Sequence, residues 1–316
     1  ILVGLYHYVY KLKVSDDFIA WVQQYKPELI YAQVSTFELL TFINRLYDIF
    51  RIPYVVHVMD DHYKSMVEVS LLSFYWKRKL KIEYQKMVDN ATTLMSICEG
   101  MSSEYQRRFH REFIPFHNPI DSEKWLQYSR TSWELNGTFT ILYAGRIGIG
   151  TKKTVIDIAE AVEQLAHEGY SIKFEIQINS NRKLPSKLYR FRHTKICKPI
   201  SYKKLPERLS EADVLTLPID FDKRSLKYIK NSMPTKTSEF MITGVPILIY
   251  SPFDTALAEY ALKDKWGYVV VDRSVKKIKL AIIDLYKNEF LRENLGKTAK
   301  REAMEKHDSN LVCNEF

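Results

Sequence analysis

At 316 residues the chain is long enough for two domains, each with its own core. A hydrophobic content of 46% with 13% aromatics excludes a disordered chain, and no uninterrupted apolar run reaches membrane-spanning length. The net charge of +9 collects almost entirely after Arg130, so the second half is the part expected to meet an anion.

The chain opens on Ile1-Leu2-Val3 with no charged n-region. It reads as a chain lacking its first elements and not as a signal peptide. Residues Asp16 to Tyr25 look helical until Pro27, and Leu29 to Ala32 form a short strand. Phe37 to Phe50 carries apolar residues at helical spacing. Tyr54 to Met59 is a strand ending in Asp60-Asp61-His62, and a long helix runs from about Leu71 to Asn90. A strand at 92–97, a helix at 102–109 and a strand at 112–116 lead into His117-Asn118-Pro119. From Ser122 to Gly137 the pattern lapses into polar residues with scattered Trp, which marks a linker.

The alternation then restarts. Strand 139–144 ends in Gly145-Arg146, helix 154–168 is closed by Gly169, and strands follow at 172–178 and 195–200. Lys204 to Ser210 is helical and Ala212 to Pro218 a strand. Met233 to Tyr250 then reads as loop, helix, tight turn and buried strand. Pro234 suits a first helical turn, Ser232 or Thr235 can cap it, Gly244 can end it in the left-handed conformation, and Pro246 forbids further helix. A strand at 268–271, a helix at 275–286 and a charged helix at 290–307 complete the chain. Strand and helix in alternation, twice over, predict two doubly wound parallel sheets, with ligands at the carboxyl ends of the strands.

Cys98, Cys197 and Cys313 are far apart without CxxC spacing. They read as reduced thiols of a cytoplasmic protein and exclude a zinc site. Arg182 to Lys204 gathers nine basic residues and no acid, with Tyr189, Phe191 and Tyr202 interleaved. An anionic ligand, an anionic membrane, a nucleic acid or plain solvent could face it. Lys77-Arg78-Lys79-Lys81 beside Phe74, Tyr75 and Trp76 could rest on a membrane or form a solvated helix face. In the helix at 234–243, Lys236 and Glu239 lie one turn apart near its start. They could take a phosphate and ribose hydroxyls, although a Glu in a first turn is also favoured by the helix dipole alone.

The order Tyr143-Ala144-Gly145-Arg146, Lys152-Lys153, Ala212 to Pro218, Pro234-Thr235-Lys236, Glu239-Phe240-Met241 and Gly244-Val245-Pro246 resembles the donor domain of group-1 (family-4) retaining glycosyltransferases of the GT-B fold. Ile114-Pro115 and Asn118-Pro119-Ile120-Asp121 resemble that family's link between domains. The resemblance covers nearly the whole chain except the family's first strand and glycine loop. It implies an α/β fold of two Rossmann-like domains facing a cleft. Residues 1–125 would form the acceptor side, 126–137 the linker, 138–294 the nucleotide-sugar donor domain, and 295–316 a helix returning to the first domain.

It further implies a hexosyltransferase that moves a sugar, with retention and without metal, from a UDP- or GDP-linked donor to a glycan or lipid-linked acceptor. The enzyme would be cytoplasmic, with peripheral membrane contact, no nucleic acid and no cofactor. Gly145, Arg146 and Lys152 or Lys153 would meet the diphosphate, with Pro234, Thr235 and Lys236 beside them and Glu239 on the ribose. Asn231 stands eight residues before Glu239, where the family has a Glu that contacts the transferred sugar. His57, Asp60, Asp61 and Asn118 would lie on the acceptor side, Asp60 being placed to orient or deprotonate a hydroxyl. Asp220-Phe221-Asp222 has the DxD spacing that binds metal in the other glycosyltransferase fold, but adjacent Lys223 and Arg224 favour cations in that role. The loss at Asn231 also leaves open a non-catalytic nucleotide-binding scaffold.

Overall fold

The computed structural model describes residues 7, 10–64, 66, 72–179 and 184–316. Ile1 to Val3, Leu71, Arg182 and Lys183 lie outside the described residues. The chain divides into two compact units, Ile1–Phe116 with Lys230–Met233, and His117–Ile229 with Pro234–Phe316.

In the first unit the described residues form a four-stranded parallel sheet in sequential order: β1 (Ile30–Ala32), β2 (Tyr54–Val58), β3 (Thr93–Ser96) and β4 (Ile114–Pro115). Helix α1 (Asp16–Tyr25) precedes it, and α2 (Phe37–Phe50), α3 (Ser73–Asn90) and α4 (Glu99–Phe109) make the crossovers that parallel pairing requires. Ser15 and Thr36 cap α1 and α2 through their side-chain oxygens. β2 is buried at every position, which is why YVVHV reads as continuously apolar except for His57.

The second unit holds a six-stranded parallel sheet. Its strands are β5 (Phe139–Ala144), β6 (Ile172–Gln177), β7 (Thr194–Cys197), β8 (Val214–Pro218), β9 (Ile247–Tyr250) and β10 (Tyr268–Val270), in spatial order β10-β9-β8-β5-β6-β7. The order reverses between β5 and β8, and ligand sites in such sheets open at that switch point. Val155, Ile158, Ala159, Val162 and Leu165 form the apolar stripe of α6 (Lys152–His167). It packs beside α11 (Val275–Lys287), whose Ile278, Ala281, Ile282 and Leu285 make the facing stripe. The remaining α-helices among the described residues are α5 (Ser122–Leu126), α7 (Leu205–Ser210), α8 (Lys223–Ile229), α9 (Lys236–Ile242), α10 (Ala256–Asp264), α12 (Glu289–Lys306) and α13 (Ser309–Glu315). No described helix is long and apolar enough to cross a membrane.

The expected linker at 126–137 is instead built into the second unit. A helix leaves its last carbonyls without partners, and residues of this stretch supply them for α9. Ser129 Oγ donates to the Ile242 carbonyl (2.7 Å), Arg130 N to Thr243 (2.7 Å) and Trp133 Nε1 to Gly244 (2.9 Å). The Arg130 guanidinium also bonds Asp213 (3.0 Å). The boundary therefore falls at Phe116, not near residue 125.

The C-terminal residues follow the same correction. Ile120 N donates to the His307 carbonyl and Ser309 N to that of Ile120, and Ser122 bonds Asp308. Residues 295–316 thus meet the stretch expected to end the first domain, but that stretch itself belongs to the second unit.

Helices α9 and α12 meet where Gly244 touches Gly296. A Cβ on Gly296 would lie 2.0 Å from the Gly244 carbonyl oxygen and 2.5 Å from Trp133 Nε1. Gly296→Ala is expected to lower stability by about 1–3 kcal/mol through overpacking. Chemical denaturation measures it, and a midpoint equal to the parent's would mean the helices part at no cost.

Candidate functional site

The site is assembled at the carboxyl ends of β5 and β6. There a cavity of about 600 Å³ is lined by Tyr143 to Arg146, Ile149, Thr151, Gln177 to Asn179, Ile200 to Tyr202, Leu205, Pro234 to Lys236, Glu239 and Phe240. Its floor follows from the end of β5. Gly145 sits at φ +140°, a backbone conformation L side chains rarely adopt, and a Cβ there would lie 3.1 Å from Lys236 Nζ. Tyr143 donates its hydroxyl to the Arg146 carbonyl (2.7 Å), which folds the turn back over the ring. Arg146 is exposed on that turn and lines the cavity.

Lys236 enters from the first residue of α9. Its ammonium donates to the Ala144 carbonyl (3.0 Å) and lies 4.0 Å from the centre of the Tyr143 ring. Burial pushes its pKa down to about 7, against the opposing influence of Glu239. An ammonium carries three N–H donors, and Ala144 accounts for one. Glu239, one turn on along the same face, accepts from the Tyr202 hydroxyl (2.9 Å). Burial raises its pKa, while Tyr202 and Lys236 pull it down. The arrangement presents two cationic side chains and a carboxylate around one polar cavity, which suits a phosphorylated ligand bearing hydroxyls.

Of the residues expected at the donor side, Gly145, Arg146, Pro234, Thr235, Lys236 and Glu239 come together here. Lys152 and Lys153 do not line the cavity; Ile149 and Thr151 do. Lys153 pairs with Asp222 (3.2 Å), and Asp220 caps α6 by accepting from Lys153 N, Thr154 N and Thr154 Oγ1, each at 2.9 Å. Asp222 accepts from Ser225 N and Oγ, so both carboxylates of the DxD triplet serve helix starts. Thr235 occupies the cap position of α9 but its side chain makes no capping bond.

Asn231, expected to contact the transferred sugar, does not line this cavity. It is buried in the first unit, where its amide donates to Asp61 Oδ2 (2.9 Å) and its carbonyl accepts from the Cys98 thiol. Asp61, expected at the acceptor side, is a buried structural carboxylate. Arg108 grips it with two bonds of 2.7 and 2.8 Å, and Tyr105 adds a third at 3.0 Å, so its oxygens are committed. His57 is buried and its Nδ1 meets the Tyr31 hydroxyl (2.7 Å). Burial lowers its pKa, which keeps the ring neutral at pH 7. Asp60 is exposed at the end of β2, 3.8 Å from His62 Nε2. Asn118 is half-buried and belongs to the second unit.

Tyr143 and Tyr202 are the site residues whose roles the sequence did not disclose. Tyr143 stood inside the Tyr-Ala-Gly-Arg motif, and Tyr202 among the aromatics of the basic stretch.

A family model for glycosyl transferases group 1 matches residues 129–302, more than half of the chain. No curated protein matches the chain. Among solved structures, sucrose-phosphate synthase from Thermosynechococcus elongatus matches at TM-score 0.71 and 13% identity, over 94% of this chain and 74% of that one. A glycosyltransferase from Rickettsia africae matches at 0.72 and 9%, over 97% and 82%. HepE of Anabaena in complex with UDP-glucose matches at 0.66 and 13%, over 94% and 80%. At these identities the likeness carries the fold alone, two Rossmann-like halves of the GT-B type. With its second unit matched almost throughout, the chain belongs to the group 1 glycosyltransferase family.

Proposed function

We propose that the chain is a retaining hexosyltransferase that takes its sugar from a nucleotide-sugar, with the diphosphate held between Arg146 and Lys236 and the ribose on Glu239. The observation that carries this reading is the convergence of Lys236, Arg146 and Glu239 on one cavity at the end of β5. As the nucleoside diphosphate leaves, charge builds on its β-phosphate. Fixed cations in a partly dry site stabilise that charge without reorganising at the moment of reaction. Lys236 is well suited to the task. Burial makes its ammonium costly to keep charged, and the charge of a diphosphate would offset that cost. Thr151, at the start of α6, takes the wall position that the sequence assigned to a second basic residue.

Metal independence is part of the proposal. Glu239 is the one carboxylate among the cavity's described lining residues, and it is hydrogen-bonded to Tyr202, so the charge on the diphosphate is met by cations. A uridine donor is the first choice, since HepE and its UDP-glucose complex share the fold. The acceptor is proposed to be a hydroxyl of a glycan or lipid-linked saccharide, with exposed Asp60 as the group nearest to a base. Exposed Phe74, Tyr75 and Ile82 on α3, among its lysines, are the proposed peripheral membrane contact.

The test is release of sugar from a panel of UDP- and GDP-sugars, with the anomer of the product read by NMR. Release with retention, unaffected by EDTA and abolished in Arg146→Ala, is expected. Binding of a nucleotide with no turnover of any donor would favour the scaffold reading, which Asn231 motivates by standing where a Glu was expected. Inversion or full loss in EDTA would refute the mechanism while leaving the family intact.

A further inference from the structure

The sequence excluded a zinc site on its cysteines, but histidines bind the same ions. Just before β7 the chain meets the surface of α6 at His193. There Glu163 and His167, one turn apart on α6, meet His193. Their donor atoms all lie within 4.8 Å of one another. His193 Nδ1 is 3.1 Å from Glu163 Oε2, and His167 Nε2 is 3.5 Å from Glu163 Oε1. The two imidazoles stand edge to face, 6.1 Å apart and at 83°.

From this geometry we propose that Glu163, His167 and His193 form a binding site for a divalent transition-metal ion of the Zn²⁺, Ni²⁺ or Co²⁺ type. Two imidazoles and one carboxylate are a borderline-soft donor set that favours these ions over Mg²⁺ or Ca²⁺. Ligands on a tetrahedral ion with bonds near 2.05 Å stand about 3.3 Å apart, so the donors must close by roughly 1.5 Å or less. His167 can supply that movement, because its side chain is 68% exposed. Glu163 is already oriented: His193 N donates to its Oε2 at 2.9 Å, the kind of supporting bond that fixes a ligating carboxylate. Lys187, on the chain before β7, is paired with Glu160 (2.8 Å) and so is partly neutralised.

The site lies apart from the donor cavity, none of whose lining residues it shares. It would act as a clip. The ion would tie the last turns of α6 to the chain entering β7, and that chain continues to Ile200, Ser201 and Tyr202 on the cavity wall. The proposal is independent of the glycosyltransferase reading and can fail without it.

The experiment is thermal unfolding of the full chain, stripped with EDTA and desalted, with and without Zn²⁺, Ni²⁺ or Co²⁺. Parallel runs use His167→Ala and His193→Gln, whose side chains are 68% and 38% exposed, with the metal-free Tm of each variant as its own reference. At a metal concentration a hundredfold above Kd, Tm is expected to rise by about 5 °C in the parent and to stay put in both variants. No rise in the parent with any of the three ions would overturn the proposal and leave an ion-paired surface cluster only. An equal rise in both variants would overturn it as well, since the ion would then be held elsewhere.

Discussion

Lys236→Met is expected to leave the protein folded and to lower sugar transfer by roughly 100- to 1,000-fold, the usual effect of removing one group that stabilises a developing anion. The methionine keeps an unbranched apolar side chain of similar length while removing the ammonium that now lies over Tyr143 and donates to Ala144. The same substitution makes a second, separable prediction about pH. The Lys236 amine titrates near 7 in the folded protein and near its ordinary 10.5 in the unfolded chain. Between those values the unfolded chain holds more protons, so stability of the free protein should rise as pH goes from about 7 to 10.5. Donor binding should move the other way, weakening as pH climbs and the free amine prevails. Lys236→Met should flatten both trends. Transfer at parental rates in this variant would remove Lys236 from the site.

Asp61→Ala should destabilise the first unit by about 3–5 kcal/mol, because it leaves a largely buried guanidinium without its main partner. The Asp61 side chain is 1% exposed and that of Arg108 11%. Beyond the two bonds to Arg108, the carboxylate satisfies the Tyr105 hydroxyl and the Asn231 amide, which would also lose partners. Glu104 still reaches Arg108 Nε (2.7 Å), which places the loss toward the lower end. The pair sits in an aromatic nest, with Arg108 4.9 Å from the Tyr105 ring centre and Tyr84 stacked on Phe109 at 4.8 Å. Asp61→Leu combined with Arg108→Met should therefore cost less than Asp61→Ala alone, since no charge is then stranded. Denaturant titration of the three proteins decides it. A near-neutral Asp61→Ala would return this carboxylate to the acceptor-side role that the sequence assigned.

The elements were largely legible because their periodicities are clean. Helices over Asp16–Tyr25 and Phe37–Phe50 and strands over Phe139–Ala144 and Ile247–Tyr250 stand where the spacing of apolar residues puts them. Gly244 ends α9 at φ +68°, as a glycine followed by Val-Pro should. Short helices in polar sequence were not legible. Ser122–Leu126 reads as linker, and its Asp121 cap becomes visible only with the bond to Lys124 N. Ala256–Asp264 and Lys223–Ile229 likewise carried no signal strong enough to separate them from loop.

The site divided in the same way. Gly145, Arg146, Lys236 and Glu239 are close in sequence to strand ends or helix starts, so the motif order located them. The partners of Lys153 and Asp61 were not legible because they are remote in sequence. Spacing cannot reveal that Asp222 takes the lysine, or that Arg108 of α4 takes the aspartate after β2. The cluster of Glu163, His167 and His193 was hidden for the same reason, its third member arriving from beyond β6.

The most direct test of the donor site is isothermal titration calorimetry of the parent and Lys236→Met with UDP, GDP and ADP at pH 8, in two buffers of different ionisation enthalpy. The parent should bind one of these diphosphates and take up protons as Lys236 recharges. Lys236→Met should bind it at least tenfold more weakly with no uptake from that group. Equal affinity in the two proteins, or no diphosphate bound by the parent, would contradict the assignment of this cavity to the donor.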